Sequence, residues 1–294
     1  MVSAFPLPSV WRESVRWSTM GTVSRASRLD VRSRDGTSLA VWVDGDGPPL
    51  VLVHGSMCDH KRFDPLVAEL RDGITTFAMD RRGFGASADA DGYSIEREFE
   101  DVAAVVDTVA ERGIGQVALW GHSYGAGCAM GAAALTSNVR QLILYEPGLG
   151  LAYPTGSIQA IEEALAAGDR EAAIFMAFGA LALTENERDS MRSSPLWPVR
   201  LASAPTLPRE CRTEESWTYR PGQFDAVTAR TLMLTGSETP PEVKDLAHRA
   251  AAAIPNTEMR VLEGHGHFAF QNDPGMVAAI IRQFTTRMPP MMPC

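Results

Sequence analysis

The stretch Val117-Ala-Leu-Trp-Gly-His-Ser-Tyr-Gly-Ala-Gly-Cys-Ala-Met130 constrains the fold more than any other. Val117 to Trp120 form a continuous apolar run, as expected of a strand buried on both faces. The small residues after Ser123 read as a tightly packed helix. Between the two stands Gly121-x-Ser123-x-Gly125. That pattern alone arises by chance in about one chain in ten of this length. Its position between buried strand and small-residue helix is far more specific: it is what a sharp elbow needs to hold a serine hydroxyl up as a nucleophile. A serine there takes a strained φ, and a side chain two residues to either side would clash, hence the glycines.

The rest of the chain supplies a sheet for that elbow. Ser27 to Gly47 reads as two strands joined by a turn at Asp35-Gly36. "PLVLVHG", "ITTFAMD", "QVALW" and "QLILYEP" read as buried strands. Helical spacing separates them at Phe63, Leu66, Val67 and Leu70, and at Phe99, Val102, Val105, Val106 and Val109. From Gly148 to about Pro221 no strand signal appears. Three helical segments run to Ser194, and Pro195, Pro198, Pro205 and Pro208 break the remainder of this stretch. Strand and helix alternation resumes with "RTLMLTG" and ends with "GMVAAIIRQFTTRM". The pattern predicts a mostly parallel α/β sheet with helices on both faces and a helical insertion, its chemistry at the C-terminal ends of the strands.

Composition narrows the function. A chain of 294 residues fits one large domain and needs no disulfide or metal staple. A net charge of −9 argues against nucleic acid as a partner. Cys58, Cys128, Cys211 and Cys294 show neither CxxC nor metal-finger spacing, so a reduced, cytoplasmic setting is expected. No apolar run reaches the length of a membrane span, and the first residues lack a signal-peptide layout. The expected organisation is an extension over 1–26, a core over 27–147 and 222–288, a helical cap over 148–221 and a tail over 289–294.

Several residues can carry chemistry. Gly55 lets the chain turn after "LVLV", so that the N–H of Ser56, or alternatively Met57, joins that of Tyr124 in holding an oxyanion. "VLEGHGHFAFQNDP" brings His265 and His267 on a loop after the last strand, where a base could reach Ser123. His54 is expected to support the oxyanion loop, and His122 to be a neighbour of the elbow. Asp80, Arg82 and Ser87 read as a structural loop knot, and Cys58 and Cys128 as packing residues. Trp197 and Trp217 either line a pocket from the cap or pin the cap to the core.

In this order His54-Gly55, Asp80-x-Arg82-Gly83-x-Gly85-x-Ser87, Gly121-His122-Ser123-Tyr124-Gly125 and Gly264-x-Gly266-His267 resemble the α/β-hydrolase superfamily, of the kind with a helical cap. The resemblance spans about Leu29 to Phe284. It implies Ser123 as nucleophile, His267 as base and backbone donors at Ser56 and Tyr124, with no cofactor and no metal. It also exposes a departure. The family's acid commonly lies three residues after the glycine that ends the penultimate strand, and Thr239 occupies that place. Two carboxylates compete for the role. Glu238 is one residue off register. Glu146 ends the strand after the elbow, where some members place the acid, and Pro147 is expected to keep it extended. Glu146 is the preferred acid. The resulting expectation is a serine hydrolase working by acyl transfer, a carboxylesterase on small to medium apolar esters. The alternatives are C–C bond hydrolysis, lactone opening or perhydrolysis on the same site, and a low-turnover ligand-binding member of the fold.

Overall fold

The computed structural model describes residues 27–181 and 183–286. The expected extension over 1–26 and tail over 289–294 lie outside the described residues. Eight strands form one sheet: β1 (Ser27–Arg32), β2 (Ser38–Asp44), β3 (Pro49–Val53), β4 (Thr75–Met79), β5 (Val117–His122), β6 (Val139–Tyr145), β7 (Arg230–Gly236) and β8 (Thr257–Leu262). Their order is β1-β2-β4-β3-β5-β6-β7-β8. β2 runs antiparallel to both β1 and β4, and every other pair is parallel. β5 therefore lies mid-sheet, flanked by β3 and β6, and its C-terminal end opens where the chain leaves three neighbouring strands.

The strand alternation sorts the core into two layers. In β3, Val51 and Val53 face one side and Leu50 and Leu52 the other. The first side is covered by α2 (Ile95–Val109), α3 (Tyr124–Ala133) and α9 (Pro241–Ala252), which contribute Val102, Ala126 and Ala247 among others. The second is covered by α1 (Asp64–Leu70) and α11 (Pro274–Thr286), through residues such as Leu66 and Ile281. α3 is buried all round, which its run of Gly, Ala, Cys and Met allows. A short helix, α10 (Ala269–Asn272), precedes α11.

Between β6 and β7 the described residues form five α-helices: α4 (Ser157–Ala166), α5 (Arg170–Ala177), α6 (Glu185–Ser193), α7 (Trp197–Ser203) and α8 (Leu207–Ser216). The last two occupy the segment that the prolines were expected to break. Pro198 and Pro208 instead sit in the first turns of α7 and α8, where a missing N–H leaves no helical hydrogen bond unmade. These helices share a small apolar core of Ile161, Ile174, Leu207 and Cys211, into which Met57 of the sheet domain inserts.

Candidate active site

Ser123 stands between β5 and α3 with φ 56° and ψ −126°, a backbone conformation that L-residues rarely adopt. Two contacts hold it there. Its N–H donates to Tyr145 O at 2.9 Å, and its carbonyl accepts from Gly148 N–H at 3.1 Å. A side chain at Gly121 would run into Gly125 O and Ala126, and one at Gly125 into the carbonyls of Val53 and His54. The elbow is thus pressed between β3 and its own helix, and only glycine fits on either flank.

Two loops bring an imidazole and a carboxylate to the same place. His267 follows β8, and its Nδ1 lies 2.6 Å from Glu146 Oε2. The other carboxylate oxygen accepts from Thr239 Oγ1 (2.6 Å), Gly236 N–H (2.8 Å) and Thr235 Oγ1 (3.2 Å). Burial opposes the Glu146 charge, but the His267 contact together with Thr239 and Gly236 outweighs it and holds the carboxyl below the ordinary glutamate range. Glu146 is not extended, contrary to the expectation from Pro147: its φ is 47°. Its N–H still pairs with Leu234 O on β7, and the left-handed step turns its side chain across the end of β7 instead of along β6. Glu238 is exposed and contributes a backbone N–H to His265 O. Thr239, at the place where a carboxylate was missing, supplies the hydroxyl that binds one.

His54 and His122 brace the loops around the site. His54 is fully buried, and its Nε2 accepts from Arg81 N–H while Nδ1 donates to Gly55 O. Burial, reinforced by the Arg81 charge, pushes its pKa down to about 3, so it serves as a neutral strut. His122 donates from Nε2 to the carbonyl of His267 at 2.9 Å, and Tyr145 OH binds Gly266 O, so two side chains clamp the loop that carries His267. His265 lies 3.9 Å from Asp273. Asp80 binds His60, Trp42 and Ala86, Ser87 binds Asp80 O, and Arg82 pairs with Asp101 and Asp35, which makes the expected knot.

Ser56, Met57, Ser123, Glu146 and His267 line one pocket, whose far wall is cap and linker: Tyr153, Phe178, Leu207 and Glu214. Trp197 and Trp217 are not in that lining; Trp197 stacks on Phe175 and Trp217 packs edge-on against Phe99. Sequence reasoning missed Glu214. It is buried, its Oε2 accepts from Tyr153 OH at 2.5 Å, and burial pushes its pKa up to about 8, against the lowering effect of that hydrogen bond. It also missed Arg81, which bridges Glu98 on α2 and Glu210 on α8 and so ties core to cap.

The chain is similar to proteins already known. An uncharacterized Mycobacterium tuberculosis protein is 27% identical over 289 residues, covering 87% of this chain and 80% of its own length. The crystal structure of an alpha/beta hydrolase from Sphaerobacter thermophilus is 30% identical, with a TM-score of 0.76 over 88% of this chain and all of that one. An esterase from Exiguobacterium antarcticum shares the fold at 21% identity and a TM-score of 0.68, over 89% of this chain and all of that one. The sequence pattern described as the alpha/beta hydrolase family matches residues 50–280, and the chain belongs to that family.

Proposed function

We propose that the protein is a serine hydrolase acting by acyl transfer, a carboxylesterase on small to medium esters. The observation that carries this reading is the 2.6 Å contact between His267 and Glu146 in the pocket that Ser123 also lines. With Nδ1–H donated to Glu146, His267 keeps Nε2 for the serine hydroxyl. Ser123 Oγ attacks the ester carbonyl while His267 takes its proton, and Glu146 stabilises the imidazolium. The oxyanion falls to the N–H groups of Ser56 and Tyr124. The latter opens α3 and has no partner within the helix, which supports its being free for a ligand. The tetrahedral intermediate collapses as His267 protonates the leaving alkoxide. Water, deprotonated by His267, then releases the acid and restores Ser123. The apolar lining at Met57, Leu151, Leu207 and Val243 suits an acyl chain.

The test is hydrolysis of p-nitrophenyl esters of graded acyl length, with covalent labelling by a fluorophosphonate. Wild type is expected to turn over the short esters and to be labelled at Ser123. Ser123→Ala should lose about 10⁴–10⁶ in rate and all labelling while melting at the wild-type temperature. More than a tenth of the activity left in Ser123→Ala overturns the assignment.

A further inference from the structure

Two arginines next to this pocket have no counter-charge. Arg62 lies in the turn before α1, and Arg200 lies on cap helix α7. They are 2% and 4% exposed. Among the described residues neither forms an ion pair, and Nε and one terminal nitrogen of each are buried with no hydrogen-bond partner. The other deeply buried arginines among the described residues have their carboxylates: Arg81 has Glu98 and Glu210, and Arg82 has Asp101 and Asp35. The Cys58 thiol that both cations sense is no substitute, because burial pushes it up and keeps it neutral. Burial, and after it the charge of Arg62, push Arg200 down to about 9.

An unpaired buried cation is strongly destabilising, and two that repel each other are worse. The pair is also placed with respect to the chemistry. The Arg62 guanidinium stands 4.8 Å from the ring of Phe268, the residue after His267. The Arg200 guanidinium stands 5.5 Å from the ring of Phe178, which lines the pocket. Those two rings meet edge to face at 6.4 Å. One aromatic layer therefore separates the cations from the site of acyl transfer, and one cation comes from the core and the other from the cap.

We propose that Arg62 and Arg200 form a carboxylate subsite between core and cap, so that the substrate is an ester carrying a carboxylate remote from its reacting carbonyl. The proposal rests on the hydrolase reading above. Guanidinium forks match a carboxylate bidentately, and a carboxylate there neutralises a charge that the protein leaves unmatched. The ester end meets Ser123 in the apolar lining, and the anionic end reaches past Phe178 and Phe268.

The experiment has a binding arm and a kinetic arm. In the binding arm, glutarate, adipate and inorganic phosphate are titrated against Ser123→Ala, with thermal stability as readout. The dicarboxylates are expected to raise Tm, and Arg200→Met and Arg62→Met to abolish the rise. The unliganded methionine variants are expected to melt at or above the parent's temperature, because an unpaired buried charge has been replaced by an apolar chain of similar volume. In the kinetic arm, half-esters of dicarboxylic acids, and acetyl esters of hydroxy acids, are compared with neutral esters of equal length. Wild type should favour the anionic member of one series by about tenfold or more in kcat/KM, through KM. That ratio should collapse towards one in Arg200→Met, and Arg200→Lys should restore it in part. Absence of Ser123-dependent hydrolysis with the dicarboxylate shift intact would overturn the hydrolase reading and leave the subsite standing. Equal rates on anionic and neutral esters, or phosphate matching the dicarboxylates in the binding arm with no ester preference, would overturn the subsite. So would a fall in unliganded Tm in both methionine variants.

Discussion

Both carboxylate oxygens of Glu146 are occupied, one by His267 and the other by Thr235, Thr239 and the N–H of Gly236. Such an acid is fixed in position and kept ionised, so the role should vanish with the charge. Glu146→Gln is expected to lose about 10⁴ in kcat, and Glu238→Gln to stay within about twofold of wild type, measured at neutral pH. The reverse ranking would transfer the acid to Glu238. The two C-terminal histidines should divide likewise. His267→Ala should match Ser123→Ala, and His265→Ala, which removes a ring lying 3.9 Å from Asp273, should be mild. Ser123 and His267 could be picked out as candidates because each sits beside closely spaced glycines. Glu146 was legible as a carboxylate at a strand end, but its conformation was not. The steric rule for a residue before proline favours extended backbone, and the left-handed φ of Glu146 overrides it. What favours that φ is the end of β7 and the loop after it, whose Gly236 and Thr239 lie some ninety residues further along and bind the carboxylate.

Cap helix α8 shows why one class of element stays opaque to sequence reasoning. Its residues, Leu-Pro-Arg-Glu-Cys-Arg-Thr-Glu-Glu-Ser, look like a solvated surface helix, yet Glu210 and Glu214 lie on its buried face with Leu207 and Cys211. Hydrophobic periodicity cannot show a buried carboxylate whose partners, Arg81 and Tyr153, come from other segments. For Glu214 the consequence is a measurable pH dependence. Its folded pKa is raised to about 8 and its unfolded value is that of an ordinary glutamate, so the folded state binds the proton more tightly. That contribution to stability is fully present below the ordinary glutamate pKa and is lost as pH rises towards about 8. Melting temperature measured between about pH 5 and 8 should therefore fall less in Glu214→Gln than in wild type. Parallel curves would show that Glu214 does not carry the extra proton.

Across the whole molecule, the order of strands and helices was readable because buried parallel strands and amphipathic helices write their periods locally. Antiparallel β2 and the central place of β5 emerged only from the pairing. The net charge of −9 bears on how an anionic ester arrives. Surface repulsion is screened by salt, whereas a buried guanidinium pair is screened much less, so KM for the anionic half-esters should fall as salt rises from about 10 to 150 mM. A KM that rises over that range would place the attraction at the exposed surface instead. The described residues between β6 and β7 include Glu146 only at their very start, and neither Ser123 nor His267, so trading the cap helices α4 to α8 with a relative's should alter substrate choice and leave the reacting groups in place. Yet Arg81 divides its guanidinium between Glu98 of the sheet domain and Glu210 of the cap. A gene segment spliced in from a relative without an acid at that point would leave the arginine half-matched beneath its new roof. A chimaera whose cap lacks that acid should therefore melt below one whose cap supplies it, so one buried ion pair marks where a transplanted roof must be matched to the sheet beneath.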